Sequence, residues 1–227
     1  RVAAGVPLHG RNLIPGDDVL PGLRQTILEW MSEVTALGAV VMQGIARSLD
    51  LPADYFASRY TADPLILFRI FQYPSRPIPA GLDVRDGVGE HTDYGLLTLL
   101  EQDDRGGLEV KTPGGWIAAP PIAGALVCNL GDMLDRLTGG RFRSTPHRVR
   151  NRSGASRYSW PFFLDPAFDA QVAPLPTARV RPVEVDAAER WDRASVHTLG
   201  GTYGEYVVSK VARVFPQLAS DGLGDAT

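Results

Sequence analysis

The sequence predicts a mainly β fold with flanking helices, from three observations. Short runs of strand character fill the middle of the chain and are separated by turn sequences rich in glycine and proline, such as residues 103–107 and 112–115. A long segment with helical periodicity precedes these runs, and a shorter one follows them. No internal repeat or low-complexity linker divides the chain. We therefore expect one domain, a β core with helices packed on its outside.

The long helix is predicted to begin at Leu23, because apolar residues then recur at steps of three and four. Its apolar stripe consists of Leu23, Ile27, Trp30, Met31, Val34, Leu37, Val41, Ile45 and Leu49. A stripe of this kind is most simply core, and we expect it to pack on one face of the β structure. A short second helix is predicted after Pro52. Residues 202–215 are predicted to form a closing helix.

The composition is that of one globular domain. The chain has 227 residues, of which 44% are hydrophobic and 22% are charged, and this length supports one substantial core. We divide the single domain, residues 1–227, into a helical N-terminal part (1–60), a β core (64–170) and a C-terminal extension with a helix (171–227).

Charge and cysteine content bear on partners and location. The net charge of −3 argues against a nucleic-acid partner, and no apolar run approaches the roughly 20 residues needed to span a bilayer. The single cysteine, Cys128, rules out an internal disulfide and favours a reducing compartment. Its apolar strand context predicts a small buried side chain. We therefore expect a cytoplasmic protein with neither a nucleic-acid nor a membrane partner.

The stretch from residue 88 to residue 100 contains the pair His91 and Asp93. In a β-strand, residues i and i+2 point to the same face, so the imidazole and the carboxylate can aim at one point. Such a pair suits a metal, but His-x-Asp pairs arise often by chance and most are ordinary surface residues. The pair therefore predicts a metal site only together with a third ligand.

Among the four histidines, His147 is the plausible third ligand, because it lies in a short predicted strand within residues 143–150. Two histidines and one carboxylate on three corners of an octahedron leave the opposite face open, which is the arrangement of non-haem Fe(II) oxygenases. His9 and His197 lie in segments without a ligand pattern, and we expect them to be ordinary surface or loop residues. Asp132 precedes a predicted helical turn, so we interpret it as a capping residue.

Arg157 and Ser159, two residues apart, predict a carboxylate receptor. A guanidinium binds a carboxylate through two parallel hydrogen bonds, and a hydroxyl on the same face can add a third. Residues 151–155 are typical of a hairpin turn with Gly154 in a left-handed conformation. A three-residue loop there would place His147 opposite Ser159, with Arg157 on the diagonal and on the same face. The receptor would then face the metal site.

Three motifs together resemble the Fe(II)/2-oxoglutarate dioxygenases of the isopenicillin-N-synthase-like family. They are His91-Thr-Asp93, Ser-Thr-Pro-His147-Arg-Val and Arg157-Tyr-Ser159, and the match covers most of residues 64–170, with weaker similarity on either side. The resemblance implies a double-stranded β-helix, or jelly roll, with iron at its open end. It implies His91, Asp93 and His147 as iron ligands. It also implies that Arg157 and Ser159 bind the distal carboxylate of 2-oxoglutarate.

The resemblance implies further site residues. Related enzymes place a tyrosine before a proline at the position of Tyr73, so we expect Tyr73 to hydrogen-bond 2-oxoglutarate or the substrate. Arg69, Phe71 and Tyr73 would share one strand face. Together with Phe163 they are expected to wall the substrate pocket. No catalytic residue beyond the metal ligands is expected.

The implied activity couples decarboxylation of 2-oxoglutarate, to succinate and CO₂, with oxidation, usually hydroxylation, of a small organic metabolite. Fe(II) is the implied cofactor, and 2-oxoglutarate and O₂ are the co-substrates. We expect a bacterial-type member that lacks the family's N-terminal segment, since the chain begins at Arg1. Two alternatives stay open. One is an oxidase of the same family that uses the iron triad without 2-oxoglutarate, and the other is a non-catalytic ligand-binding jelly roll.

Overall fold

Two antiparallel β-sheets form the centre of the fold. The computed structural model describes residues 1–74, 87–198 and 200–214. The strands in these residues are β1 (Leu65–Phe68), β2 (Phe71–Tyr73), β3 (Val88–His91), β4 (Leu97–Gln102), β5 (Leu108–Thr112), β6 (Gly115–Ala118), β7 (Val127–Leu130), β8 (His147–Val149) and β9 (Arg157–Asp165). One sheet has the order β1-β9-β4-β7, with β2 also paired to β9, and the other has the order β3-β8-β5-β6.

Helices flank the two sheets. They are α1 (Leu23–Ser48), α2 (Tyr55–Arg59), α3 (Asp132–Thr138), α4 (Val183–Glu189) and α5 (Tyr203–Val214), and a 3-10 turn covers Val196–Thr198. The predicted fold class is therefore confirmed, and the three helices expected from periodicity lie where they were predicted. Phe215, the last residue of the predicted closing helix, lies outside the described residues. None of the described helices is long and apolar enough to cross a membrane.

Helix α1 packs on the outer face of the five-stranded sheet. Gly38 permits this close approach, because a Cβ at this position would lie 3.0 Å from Cδ2 of Leu164. The buried face of the helix includes Val34, Gly38 and Met42. Leu37, which the predicted stripe included, is instead 44% exposed. The helix was predicted correctly, but Gly38 rather than Leu37 faces the sheet, and its missing side chain lets the helix approach Leu164 closely.

Strand β9 gives the sheet one apolar and one polar face. Phe162 and Leu164 point outward and are buried in the hydrophobic core that α1 covers. Arg157, Ser159 and Phe163 alternate with them and point to the inner face. Arg157 is 0% exposed and Ser159 is 1% exposed. The strand therefore carries two buried polar side chains into the space between the sheets.

The predicted hairpin that pairs His147 with Ser159 is wrong. Gly154 has the expected left-handed conformation, with φ 71°, but β8 and β9 lie in different sheets. β8 pairs with β3 and β5, whereas β9 shares a register of six residue pairs with β4. The turn therefore leads the chain from one sheet to the other. Arg157 still faces inward, from the opposite sheet.

Helix α3 begins against the loop that joins β3 to β4. The backbone N–H of Asp132 donates to the carbonyl oxygen of Asp93 at 2.8 Å, and that of Met133 donates to Gly95 at 3.0 Å. N–H groups in the first turn of a helix have no partner within it, so they are available for such contacts. Gly131 lies so close that a Cβ there would be 2.2 Å from the carbonyl oxygen of Gly95. The helix start therefore fixes the backbone of this loop.

The side chain of Asp132 does not cap α3, contrary to the prediction. Gly131 is the N-cap residue, and no side chain caps the helix. The fully buried carboxylate of Asp132 instead accepts hydrogen bonds from Ser144 Oγ at 2.7 Å, Arg190 Nη2 at 2.5 Å and Tyr206 Oη at 3.1 Å. A buried charge requires partners of this kind, and Arg190 is far from Asp132 in sequence.

Two expectations about exposure are also wrong. His197 is buried in the 3-10 turn, with Nε2 3.8 Å from Oδ1 of Asp135. Burial lowers the pKa of His197, and the carboxylates of Asp186 and Asp135 oppose this effect. Cys128 lies on a strand as predicted, but its side chain is exposed. The alternation that turns Asn129 toward the inner face turns Cys128 outward.

We expect Gly131→Ala to lower the free energy of unfolding by about 1–3 kcal/mol, because the new methyl group would overlap backbone atoms of Gly95. The matched control is Gly44→Ala in the exposed part of α1, where a Cβ would have no neighbour within 4 Å. That change is expected to stabilise the protein by about 0.5–1 kcal/mol. Urea unfolding of both variants checks the difference. Equal effects in the two variants would contradict the close contact.

Asp165 is expected to make stability depend on pH. Burial raises the pKa of Asp165 to about 7, with a further contribution from Asp93, although a hydrogen bond from Tyr203 opposes the shift. The native state therefore keeps a proton that the unfolded chain, with a carboxyl pKa of roughly 4, releases. Between about pH 4 and pH 7 this group should lower stability as pH rises, by up to about 1.4 kcal/mol per pH unit.

Urea unfolding of the metal-free protein from pH 5 to pH 8 measures this dependence. In Asp165→Asn the amide keeps an acceptor for the Tyr203 hydroxyl, which donates to Asp165 Oδ2 at 2.6 Å. The variant should show a smaller decrease of stability with pH than the wild type. Parallel curves for the two proteins would contradict the buried, protonated carboxyl group.

Candidate metal centre

His91, Asp93 and His147 converge where the two sheets meet. His91 ends β3 and His147 begins β8, and the two residues are directly paired in register. Directly paired residues point to the same face, and the two rings lie 4.2 Å apart between centroids. Asp93 lies just beyond the strand, with Oδ1 4.0 Å from Nε2 of His91 and 3.7 Å from Nε2 of His147. Each residue offers one ligand atom, and these atoms all lie within 4.8 Å of one another.

Backbone carbonyl groups orient the two imidazole rings. Nδ1 of His91 lies 2.8 Å from the carbonyl oxygen of Gly89, and Nδ1 of His147 lies 3.2 Å from that of Thr145. With Nδ1 as the donor in each ring, Nε2 keeps a lone pair for a metal. Burial lowers the pKa of His91, and the neighbouring His147 adds to this effect. The neutral form of His91, which binds metals, is therefore favoured.

The carboxylate of Asp93 is held by two side chains of the five-stranded sheet. Thr98 Oγ1 donates to Oδ2 at 2.7 Å, and Asn129 Nδ2 donates to the same oxygen at 2.5 Å. Oδ1 is thereby turned toward the two imidazoles. Sequence analysis missed both donors. Their signal is a polar residue within each of two apolar strands, at positions that alternation turns toward the inner face.

Arg157 lies buried on the inner face with part of its guanidinium unused. Nε donates to the carbonyl oxygen of Gly106 at 2.5 Å, and Nη2 donates to Oε1 of Gln102 at 3.1 Å. Nη1 has no hydrogen-bond partner among the described residues. Burial lowers the pKa of Arg157, and Tyr73 and Asp103 oppose this effect. A buried cation with a free donor is suited to an anionic ligand.

The remaining predicted site residues lie on the same inner face. Tyr73 is paired with Arg157, and Phe71 is paired with Ser159. The guanidinium carbon of Arg157 lies 4.9 Å from the centroid of the Tyr73 ring. Phe163 is paired with Thr98, one of the residues that hold the metal-binding carboxylate. The structure therefore brings these predicted residues together on one inner face. The strands β8 and β9 nevertheless lie in different sheets and do not pair with each other.

A second cluster of possible metal ligands has its negative charges already paired with arginines. Asp135, Asp186 and His197 offer ligand atoms within 4.8 Å of one another. Arg190 Nη1 lies 3.2 Å from Asp135 Oδ2, and Arg143 Nη2 lies 3.2 Å from Asp186 Oδ1. Two arginines thus compensate the two carboxylates, so this cluster is explained as a buried ion-pair network.

The triad and the arginine site have the chemistry of one known type of centre. Two imidazole nitrogens and one carboxylate oxygen match the facial arrangement that binds Fe(II) in non-haem oxygenases. The free Nη1 of Arg157 can bind a carboxylate that enters the space between the sheets. The donor set and the orphaned guanidinium nitrogen therefore fit iron and a dicarboxylate co-substrate.

Comparison with known proteins agrees with this chemistry. A family model described as the 2OG-Fe(II) oxygenase superfamily matches residues 56–166. A probable iron/ascorbate oxidoreductase of Dictyostelium discoideum is 49% identical over 241 residues, which covers 98% of this chain and 66% of the relative. A 1-aminocyclopropane-1-carboxylate oxidase of the same organism is 40% identical over 225 residues, covering 87% of this chain and 61% of the relative. The chain thus spans less than two thirds of the length of either curated relative.

A solved structure extends the similarity to the fold. A full-length Neurospora crassa protein, crystallised in complex with alpha-KG and thymine, superimposes with a TM-score of 0.75 and 32% sequence identity, over 92% of this chain and 62% of that one. Alpha-KG is 2-oxoglutarate, so the expected cofactors, Fe(II) with 2-oxoglutarate and O₂, agree with the family model and with this neighbour. By its motifs, its fold and its sequence identity to these proteins, the chain belongs to the 2OG-Fe(II) oxygenase superfamily.

Proposed function

We propose that the protein is an Fe(II)- and 2-oxoglutarate-dependent oxygenase that oxidises a small organic metabolite, with hydroxylation as the favoured reaction. The observation that carries this proposal is the buried guanidinium of Arg157, whose Nη1 has no partner among the described residues and which shares an interior with the histidine-carboxylate triad. Desolvation of a cation is costly unless an anion compensates it. The C5 carboxylate of 2-oxoglutarate is an anion that the arginine fork can bind.

In this proposal His91, Asp93 and His147 hold the iron. The metal, when bound, supplies the oxidative chemistry that couples decarboxylation of 2-oxoglutarate, to succinate and CO₂, with oxidation of the substrate. Thr98 and Asn129 fix the direction of the Asp93 carboxylate through their hydrogen bonds to Oδ2. The chain thereby sets the geometry of the centre before any ligand enters.

The co-substrate is positioned by residues at the other end of the inner face. Arg157 binds its distal carboxylate, Ser159 adds a hydroxyl from the same face, and Tyr73 lies beside the guanidinium. Phe71 and Phe163 wall the adjoining pocket and help to exclude water from the reacting groups. We assign no catalytic residue beyond the metal ligands.

The wider setting is part of the same proposal. We treat the chain as one oxygenase domain, with a helical N-terminal part, a jelly-roll core and a C-terminal extension. Small-molecule binding by the Neurospora neighbour, which was crystallised with thymine, supports a small-molecule substrate here. A cytoplasmic location and the lack of nucleic-acid and membrane partners stay predictions from the composition.

An oxidase that uses the same triad without 2-oxoglutarate is the second candidate. The similarity to the probable iron/ascorbate oxidoreductase of Dictyostelium discoideum favours this candidate, since that name pairs iron with ascorbate. Arg157 and Ser159 would then hold a carboxylate of the substrate itself. Anaerobic titration of Fe(II)-loaded protein with 2-oxoglutarate separates the two, because only a bidentate 2-oxoglutarate complex gives the visible charge-transfer band. Bound iron without a band would favour the oxidase, and absence of iron binding would favour a binding protein.

We expect Asn129→Ala to weaken Fe(II) binding about 10- to 100-fold, because the Asp93 carboxylate loses one of the two donors that orient it. Asp93→Ala should abolish specific Fe(II) binding. Anaerobic Fe(II) titration measures both effects. Cys128→Ala is the matched control, since Cys128 is the preceding residue of the same strand and its side chain is exposed. An unchanged affinity in Asn129→Ala would contradict its role in orienting the carboxylate.

Arg157→Lys is expected to weaken 2-oxoglutarate binding about tenfold or more while Fe(II) binding is retained. Lysine keeps the charge but loses the planar fork and the contacts to Gly106 and Gln102. The intensity of the charge-transfer band during the anaerobic titration gives the affinity. Arg152→Lys, at an exposed arginine in the turn before β9, serves as the control. Equal affinity in Arg157→Lys and the wild type would exclude Arg157 as the carboxylate receptor.

A further inference from the structure

Arg69 lies on the inner face of the five-stranded sheet, between β1 and β2. Two residue pairs flank Arg69, namely Phe68 with Phe162 and Phe71 with Ser159, and both belong to the same register against β9. The backbone N–H of Arg69 also donates to the carbonyl oxygen of Pro161 at 3.1 Å. Its side chain therefore points to the same face as Phe71, although Arg69 itself is exposed to solvent.

Two aromatic rings separate Arg69 from the co-substrate receptor. The Arg157 guanidinium carbon lies 4.9 Å from the centroid of Tyr73, the Tyr73 and Phe71 rings are 5.9 Å apart, and the Arg69 guanidinium carbon lies 5.8 Å from the centroid of Phe71. The Arg157 guanidinium is thus buried at one end of this row of two aromatic rings, and the Arg69 guanidinium is exposed to solvent at the other end. The rings of Tyr73 and Phe71 lie between the two cations, so each cation can serve a different carboxylate.

The Arg69 guanidinium has no carboxylate partner in the part of the chain that the structure describes. The guanidinium carbon lies 5.8 Å from the centroid of the Phe71 ring, and the side chain interacts electrostatically with Tyr94, the residue that follows the metal ligand Asp93. Arg69 therefore stands beside the Phe71 wall of the pocket without a carboxylate partner among the described residues.

Lys210 also lies near Tyr94, but unlike Arg69 it has carboxylate neighbours. Its Nζ lies 5.7 Å from the centroid of the Tyr94 ring. It also lies 3.8 Å from Oδ2 of Asp192 and 4.0 Å from Oδ2 of Asp132. Two carboxylates thus lie near Lys210, whereas none of the described carboxylates pairs with Arg69.

We propose that the oxidised substrate carries a carboxylate and that Arg69 binds it at the mouth of the pocket. The inference rests on the proposed function, since it places the substrate beside the metal and the co-substrate. The guanidinium fork binds a planar carboxylate through two parallel hydrogen bonds. Phe71 packs between this group and the 2-oxoglutarate site, so a carboxylate held by Arg69 is kept apart from the one held by Arg157. Arg69 is thus a specificity residue for an acidic substrate.

The test measures binding to the anaerobic protein loaded with Fe(II) and 2-oxoglutarate, through the change that a third molecule causes in the charge-transfer band. The probes are matched pairs of acids and amides: L-amino acids with their amides, and benzoate with benzamide. We expect at least one acid to bind about tenfold more tightly than its amide, because a neutral amide cannot form the charge-assisted pair. Arg69→Gln should remove this preference, and Arg69→Lys should keep part of it.

Controls separate this inference from the proposed function. Arg24→Gln, at an exposed arginine of α1, should leave the acid preference unchanged. Arg69→Gln should weaken acid binding more than it weakens 2-oxoglutarate binding, whereas Arg157→Lys should do the reverse. Absence of the band in the wild type would reject the proposed function itself. With the band present, an acid preference below threefold in every pair, or a preference that Arg69→Gln leaves intact, would overturn the assignment of Arg69.

Discussion

The register of β9 is the constraint on which the rest of the structure depends. Because successive residues of a strand point to opposite faces, one register places Phe162 and Leu164 in the core under α1 and places Arg157 and Ser159 inside the site. A slip of one residue would exchange these two sets. The same hydrophobic burial that stabilises the sheet therefore fixes the position of the carboxylate receptor, and a change that loosens the core is also a change to the site.

The metal-binding loop depends on a second set of contacts, which are polar and buried. The first N–H groups of α3 bind the carbonyl oxygens of the loop that contains Asp93. Asp132 and Asp135 on the same helix share Ser144 and Arg190. Ser144 comes three residues before His147, so one network joins the helix to both ligand-bearing segments. Removing one partner from such a network leaves an uncompensated buried charge, which is far more destabilising than the intact network is stabilising.

Local pattern and family resemblance predicted the elements of the fold and the candidate site residues, but they did not predict which strands pair. Gly154 indicated a turn, and the turn is present, yet the strand partner of β8 is determined by contacts distant in sequence. The same limit explains why Asp132 was wrongly predicted to cap a helix, since its partner Arg190 lies in a distant segment of the sequence. It also explains why the burial of His197 was not predicted, because no local sequence feature indicates that α3 covers this residue. Polar residues within apolar strands, such as Asn129, were the neglected signal.

The different burial of the two inner-face arginines suggests an order of events under the proposed function. Arg157 is 0% exposed, and Phe71 and Tyr73 lie between it and the exposed Arg69. Under the proposed function, a carboxylate substrate held by Arg69 would cover the exposed end of this row of rings, so 2-oxoglutarate would have to bind before it. A cation at the exposed end also attracts a dianion toward the interior, so under the same proposal Arg69 would assist the entry of 2-oxoglutarate before it holds the substrate.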